Sequence, residues 1–202
     1  MNRRATPWQR LTGPGMYPVE YARWLLSPLR YLIMPPGRIV RRLQLLPTDH
    51  VLEVGCGPGF FSPTIARNLS AGHLTLFDAQ GPMLTMAAQR LARAGLANFT
   101  TVLGLADKLP FPDAVFDVVF MITVLGEVPD RGAAVKEAAR VLRLGARFSA
   151  TEAAGDPDRV KHTELDELAG RAGLTKAQRW SGLLVETFNY SKPADPPLAP
   201  NC

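Results

Sequence analysis

The residues best placed for chemistry are Glu53, then Gly55, Gly57 and Gly59 at alternate positions, and Asp78 nineteen places after the last glycine. The glycines stand behind a short apolar run in "VLEVGCGPGFFS". Glycine there lets the main chain approach a ligand that a Cβ would push away, and the helix that follows offers free N–H groups. A dinucleotide fingerprint needs its third glycine three places after the second, where this chain has Phe60. Glu53, two residues ahead of Gly55, would repel a pyrophosphate and suits a ligand with positive charge and hydroxyls. Asp78 closes "HLTLFD", the place from which a carboxylate accepts both hydroxyls of a ribose. The pattern points to a nucleoside bearing a cationic centre. The bland alternatives are a bare strand-to-helix turn and an Asp78 that only caps a helix.

Other reactive side chains are few. Glu127, in "VLGEVPD", lies in a loop that opens toward the substrate side of such a sheet and is the candidate general base; the competing reading is a surface glutamate or cap partner ahead of Asp130. His162 sits at a helix start and reads as exposed. Cys56 lies inside the glycine loop and reads as a small packing residue. Nothing pairs Cys56 with Cys202 or gives either metal-ligand spacing, so neither a disulfide framework nor a metal site is expected.

These residues need a scaffold, and the hydrophobic pattern supplies one. "HVLEVG", "HLTLFD", "FTTVLG", "FDVVFMI" and "RFSATE" read as strands, the fourth apolar enough to be covered on both faces. Helical stretches alternate with them: "FFSPTIARNL"; "MLTMAAQRLARAG", opened by Pro82 and stopped by Gly95; and "RGAAVKEAARVLR", capped by Asp130 and closed by Gly145. Thr163 with Asp166 has the spacing of a capping box for "ELDELAGRAG". "TKAQRW" and "LLVETFNYS", split by Ser181 and Gly182, are close enough to require an antiparallel pair. The expectation is a doubly wound α/β sheet with an antiparallel edge, binding its ligand at the carboxyl ends of the strands.

Composition agrees with one globular unit. The 202 residues are 47% hydrophobic and 20% charged, enough to bury a core. Residues 1 to 50 carry net +6, whereas residues 51 to 202 carry 15 bases and 16 acids. No apolar h-region precedes Gly13, and the longest apolar run, around "VVFMITVL", is well short of a membrane span, so a cytoplasmic protein is expected. The division is a basic helical leader over 1 to 46, a ligand-binding domain over 47 to 191 and a proline-rich, disordered tail over 192 to 202.

"VLEVGCGPGFFS" resembles motif I, E/D-x-G-x-G-x-G, of the class I S-adenosylmethionine-dependent methyltransferases. The resemblance continues through Asp78, "LADKLPFPDAVFDVVF", "VLGEVPD" and "EAARVLRLGARFSATE", over roughly residues 48 to 152, and is strongest to the small-molecule branch that includes ubiquinone and menaquinone methyltransferases. It implies a seven-stranded, Rossmann-like methyltransferase fold with an N-terminal helical cap. It also implies S-adenosylmethionine as cofactor and S-adenosylhomocysteine as product. By this likeness Gly55, Cys56, Gly57 and Gly59 line the methionyl part with Glu53 nearby, Asp78 holds the ribose, and Ala79 lies under the adenine. Ala106 and Asp107 flank the adenine edge, and Thr123 faces the methionyl end. Two positions depart from the family: Leu105 stands where an aspartate commonly receives the adenine amino group, and "LRLGA" replaces L-x-P-G-G.

The implied reaction is in-line methyl transfer to a small molecule, so the protein chiefly aligns nucleophile, methyl and sulfur and excludes water. Only ten residues separate Glu152 from Thr163, leaving little room for the lid often found there, so the leader is expected to shape the acceptor site. Trp24, Leu25, Leu29, Leu32 and Ile33 have helical spacing ahead of the break at Pro35 and Pro36, and are read first as core and second as a membrane-facing stripe. Tyr17 or Tyr21 is placed to reach the cofactor. An apolar or lipid-like acceptor is one reading, and nucleic acid is not the expected partner. A non-catalytic membrane- or nucleic-acid-binding protein with a vestigial site, and a nicotinamide-dependent reductase, are the alternatives.

Overall fold

The computed structural model describes residues 17–194, without the side chains of Arg23 and Trp24. The expected tail and the basic residues at 3, 4 and 10 lie largely outside that range. Seven strands form one sheet: β1 (His50–Val54), β2 (His73–Asp78), β3 (Phe99–Leu103), β4 (Phe116–Ile122), β5 (Leu142–Ala153), β6 (Thr175–Trp180) and β7 (Val185–Ser191). Their order is β3-β2-β1-β4-β5-β7-β6. The first five strands pair in parallel, and β7 runs antiparallel to both β5 and β6. The order reverses between β1 and β4, which opens a crevice beyond their carboxyl ends.

The described residues hold six α-helices, α1 (Pro28–Ile33), α2 (Pro36–Leu43), α3 (Ser62–Asn68), α4 (Gly81–Arg93), α5 (Arg131–Val141) and α6 (His162–Arg171), of which the last five flank the sheet. Period-two alternation assigns each strand residue to a layer. Leu52, Val54, Val119 and Met121 pack with Ala134, Val135 and Ala138 of α5 and Leu165 and Ala169 of α6. Val51, Leu74, Leu76, Val118 and Phe120 pack with Ile39, Val40 and Leu43 of α2, Ile65 of α3 and Leu84, Ala87 and Leu91 of α4. By the same alternation, Glu53 shares the face of Val51 and points toward the α2, α3 and α4 layer.

Several local expectations change. The helix begun at Asp130, whose Oδ1 accepts from Ala133 N at 2.8 Å, ends at Val141 and runs straight into β5. Val115 N donates to the Val141 carbonyl and Leu142 pairs with Phe116, so the sheet captures the chain before Gly145 is reached. Gly145, at φ +76°, lies within β5, where the pairing with β4 steps from Phe116/Leu142 to Val118/Arg147. The Thr163–Asp166 capping box does not form. α6 starts two residues earlier, at His162, without a side-chain cap, and Asp166 instead accepts from Tyr190 Oη at 2.7 Å and pairs with Lys176 at 2.6 Å. Lys192, assigned to the tail, extends the pairing of β7 with β5: its N–H donates to the Ala146 carbonyl and its carbonyl accepts from Gly145 N.

The leader breaks at Pro35 and Pro36 as expected, with Pro36 opening α2. Before α1 stands a 3₁₀ helix, Val19–Leu26, and Ser27 caps α1 by accepting from Leu29 N at 3.3 Å. The expected core stripe does not hold over its second half: α1 has no buried residue, Leu29 is 61% and Leu32 79% exposed, and Ile33 is also exposed, while Leu25 is half-buried and the Trp24 side chain lies outside the described residues. α1 is a single short helix flanked by prolines, and it lies at the edge of the crevice instead of on a sheet face.

Candidate functional site

A cavity of about 730 Å³ opens beyond the carboxyl ends of β1, β2 and β4. Its floor is the loop after β1, whose backbone is fixed by Gly55 N and Cys56 N both donating to the Phe77 carbonyl, at 2.8 and 3.1 Å. The three glycines serve different needs. Gly55, at φ +69°, has no room for a side chain because a Cβ would overlap both methyl groups of Val124. Gly57, at φ +53°, lines the cavity, and a Cβ there would meet only Leu25 Cδ1 at 3.8 Å, so its bareness faces the open space. Gly59, expected to touch the cofactor, does not line the cavity. Its missing Cβ would lie 2.9 Å from Ala87 Cα, so this glycine lets the loop pack against α4.

Asp78 ends β2, buried at the cavity wall. Its Oδ2 accepts from Gly57 N at 2.8 Å and its Oδ1 from Gln80 N at 2.9 Å. Burial pushes its pKa up while those N–H groups, with that of Ala79, pull it back. Each oxygen keeps acceptor capacity for a ligand hydroxyl. Ala79 and Ala106 line the same wall, as do Asp107 and the exposed Leu105.

Glu53 is buried with its Oε2 unpartnered. Burial drives its pKa up to about 8, and the Asp78 charge adds to this. The Ser62 hydroxyl and the Arg30 charge act in the opposite sense. Cys56 is likewise buried, and burial raises its thiol, in keeping with a packing role. Thr123 follows β4 at φ +54°, a conformation a β-branched residue adopts at a cost of about 1–3 kcal/mol. It is held by its N–H to the Thr151 carbonyl at 2.8 Å and its hydroxyl to the Ile122 carbonyl at 2.7 Å.

Glu127 lines the cavity from the end of a 3₁₀ turn, Leu125–Glu127. Burial, with Asp156, Asp158 and Asp78 contributing negative charge, raises its pKa to about 7, and its hydrogen bond from Tyr17 opposes this. Tyr17 N donates to Glu127 Oε2 at 3.1 Å and the Tyr17 carbonyl accepts from Gln80 Nε2 at 2.9 Å. One leader residue therefore straps the Asp78 end to the Glu127 end. Tyr17 lines the cavity and Tyr21 does not; His162 is exposed at the start of α6.

Sequence reasoning missed Arg30, Phe60 and Asp156, all cavity residues. Arg30 appeared only as a leader charge. The signal that places it, stacking over Phe60 and Phe61, joins residues thirty apart in the chain. Among the described residues no cluster of His, Cys, Asp and Glu could hold a metal, and no helix is long and apolar enough to cross a membrane.

A doubly wound sheet with a left-handed glycine loop after β1 and a buried carboxylate ending β2 defines a nucleoside-binding protein of Rossmann-like type. The unpartnered, buried Glu53 carboxylate fits a nucleoside that brings its own cation, as S-adenosylmethionine does. Residues 51–145 match the methyltransferase domain family. The chain is 34% identical over 160 residues to a demethylmenaquinone methyltransferase of Lactiplantibacillus plantarum, covering 74% of this chain and 67% of that protein. It is 35% identical over 115 residues to a ubiquinone/menaquinone biosynthesis C-methyltransferase of Xanthomonas campestris, covering 56% of this chain and 46% of that protein. A SAM-dependent methyltransferase of Aquifex aeolicus has the same fold, with a TM-score of 0.81 at 20% identity over 88% of this chain and all of the other. The chain belongs to the class I S-adenosylmethionine-dependent methyltransferases, and S-adenosylmethionine is its cofactor. It spans about half the length of most of the curated relatives it matches.

Proposed function

We propose that this chain methylates an apolar small molecule with a quinol- or phenol-like acceptor group, with Glu127 as general base. The observation that carries the reading is the make-up of one cavity. Glu53, Gly57 and Asp78 form one end, and Glu127 with the exposed apolar side chains Leu29, Ile33 and Leu184 forms the other. The names of the relatives, which act in menaquinone and ubiquinone biosynthesis, support that acceptor class.

Bound S-adenosylmethionine supplies an electrophilic sulfonium methyl. Asp78 would hold the ribose hydroxyls, Ala79 and Ala106 the adenine, with Asp107 at its edge, and Thr123 the methionyl side. Tyr17 closes the site by its two backbone hydrogen bonds and sets the Glu127 carboxylate. A base with pKa near 7 is matched to removing the proton of a phenolic hydroxyl at neutral pH. The protein's main contribution is then alignment within a largely apolar cavity.

The test is transfer of labelled methyl from S-adenosylmethionine to a demethylated quinol and to a simple phenol. Glu127→Gln is expected to lower kcat by about 10²- to 10⁴-fold, leave S-adenosylhomocysteine affinity unchanged and remove the rise in rate through pH 7. A Glu127→Gln enzyme with wild-type kcat and the same pH profile would exclude Glu127. Absence of cofactor binding to the folded wild type, by calorimetry, would exclude the whole reading.

A further inference from the structure

Exposed apolar side chains gather at the mouth of the cavity. Of the ten large apolar side chains that the described residues leave exposed, five stand on two short segments far apart in the chain: Leu29, Leu32 and Ile33 on α1, and Leu183 and Leu184 in the turn between β6 and β7. Leu29, Ile33 and Leu184 line the cavity, which brings both segments to one rim. Leu32, and Leu183 at 94% exposure, are their chain neighbours but do not line it. Both segments are held in this attitude. By helical periodicity Arg30 and Tyr31 fall on the side of α1 away from Leu29, Leu32 and Ile33. Arg30 stacks over the Phe60 ring at 4.9 Å, and Tyr31 packs on the same ring with centroids 4.7 Å apart and accepts from Arg90 at 2.9 Å. The Leu184 carbonyl accepts from Ala154 N at 2.8 Å, which ties the hairpin turn to the end of β5. After Met34 and Pro35, α2 buries Pro36, Ile39, Val40 and Leu43 and leaves Arg38 and Arg41 exposed on its other side. Neither arginine forms an ion pair with a carboxylate among the described residues. Asp156 and Asp158, the cavity's carboxylates on the loop after β5, are half-buried, and Asp156 turns back to accept from Asp158 N at 3.0 Å. Apolar surface left bare at one rim marks a contact surface.

We infer that this rim docks on an anionic lipid surface, with Leu32 and Leu183 entering the acyl boundary and Arg38 and Arg41 meeting lipid phosphates, so that an apolar acceptor passes from bilayer to cavity without crossing water. The route of the acceptor rests on the reading of the cavity as the site of an apolar small molecule; the docking itself does not. Two separate aliphatic tips beside unpaired arginines complement a surface that is apolar beneath a layer of negative charge, and such tips insert without a matching shape on the partner. A nucleic acid would engage the arginines and leave the leucines bare. A second copy on the same rim, related by a twofold axis, would set like-charged arginines near one another.

The test is sedimentation of the full chain, without cofactor or acceptor, with vesicles of mixed phosphatidylglycerol and phosphatidylcholine and with vesicles of phosphatidylcholine alone. The wild type is expected to bind the mixed vesicles about 10-fold or more tightly than the neutral ones, and to lose that margin as salt is raised. Leu32→Ser with Leu183→Ser should weaken binding to the mixed vesicles about 10- to 100-fold and leave the melting temperature unchanged, because both side chains are already exposed. Arg38→Gln with Arg41→Gln should weaken it about 10- to 30-fold and erase the difference between the two vesicle types. In either variant the KM for a long-chain quinol carried in mixed vesicles should rise about 10-fold, and that for a water-soluble phenol should stay within about twofold. A folded wild type that does not bind the mixed vesicles overturns the docking, as does binding that Leu32→Ser with Leu183→Ser leaves intact. A dimer seen by ultracentrifugation and returned to monomer by that variant, or tighter binding to RNA than to the mixed vesicles, assigns the surface to another partner and overturns it too. Vesicle binding as expected, with no methyl transfer to quinol or phenol, would instead overturn the acceptor reading and leave the docking standing.

Discussion

At the donor end of the cavity, Glu53, Gly55 and Asp78 stand at or just beyond the ends of β1 and β2, and each is fixed by the parallel sheet. At the acceptor end, Tyr17 stands just ahead of a 3₁₀ helix, and Leu29 and Ile33 stand on a six-residue helix that buries no side chain. The donor end is held by backbone hydrogen bonds within a covered core, such as Gly55 N to the Phe77 carbonyl. The acceptor end is held by a few contacts that cross the cavity, chiefly the two backbone bonds of Tyr17 and the stacking of Arg30. Rigid placement suits a ligand with invariant chemistry, and lighter anchoring suits an acceptor that must enter and leave.

If the donor end is pre-formed in this way, its substitutions should be the most damaging. Asp78→Ala removes the ribose acceptor and also frees Gly57 N and Gln80 N. S-adenosylhomocysteine affinity is expected to fall about 100-fold or more in calorimetry. Gly55→Ala should approach that loss, because a side chain there is strained at φ +69° and collides with Val124. An Asp78→Ala protein with near wild-type affinity would show that the donor end does not rest on this carboxylate.

The acceptor end should respond differently. Leu29→Ser with Leu32→Ser removes apolar surface that is already exposed, so the melting temperature should hardly move. The KM for an apolar acceptor should rise about 5- to 30-fold, and affinity for S-adenosylhomocysteine should stay the same. A drop in stability, or an equal loss of cofactor affinity, would mean that α1 belongs to the core and would erase the distinction between the two ends.

The same contrast explains what was legible in the sequence. Strands β1, β2 and β4 declare themselves because each is a local run of apolar residues, and Gly55 and Asp78 declare themselves because each closes such a run. Gly59 looked like the other glycines because spacing cannot separate a backbone that faces a ligand from one that faces Ala87 of α4. The capping box at Thr163 failed for a related reason: Asp166 has stronger partners in Tyr190 and Lys176, both remote in sequence. Helical spacing in the leader was real, but spacing does not say which surface a helix meets: Leu29 stands half open at the cavity rim and Leu32 in solvent. Arg30 was hidden because its meaning depends on Phe60 and Phe61, which reach it only through the fold.

Buried carboxylates give a last and smaller way to separate the two ends from the body of the protein. Glu53 and Glu152 have pKa values raised to about 8 and Glu127 to about 7, in each case mainly by burial. A raised pKa means that the folded protein binds the proton more tightly than the unfolded chain. The associated stability is fully present below the unfolded value near 4.5 and is lost as pH rises through 7 to 8. The cofactor-free protein should therefore melt several degrees lower at pH 8 than at pH 5. Glu152 does not line the cavity; it is buried on β5, where its Oε2 accepts only a long bond from Val160 N at 3.4 Å. Glu152→Gln should leave the pH 5 melting temperature nearly unchanged and raise the one at pH 8. Saturating S-adenosylhomocysteine should flatten the remaining slope, because the bound ammonium favours ionised Glu53. If the ligand erased the slope while Glu152→Gln left it untouched, the pH dependence would belong to the cavity alone.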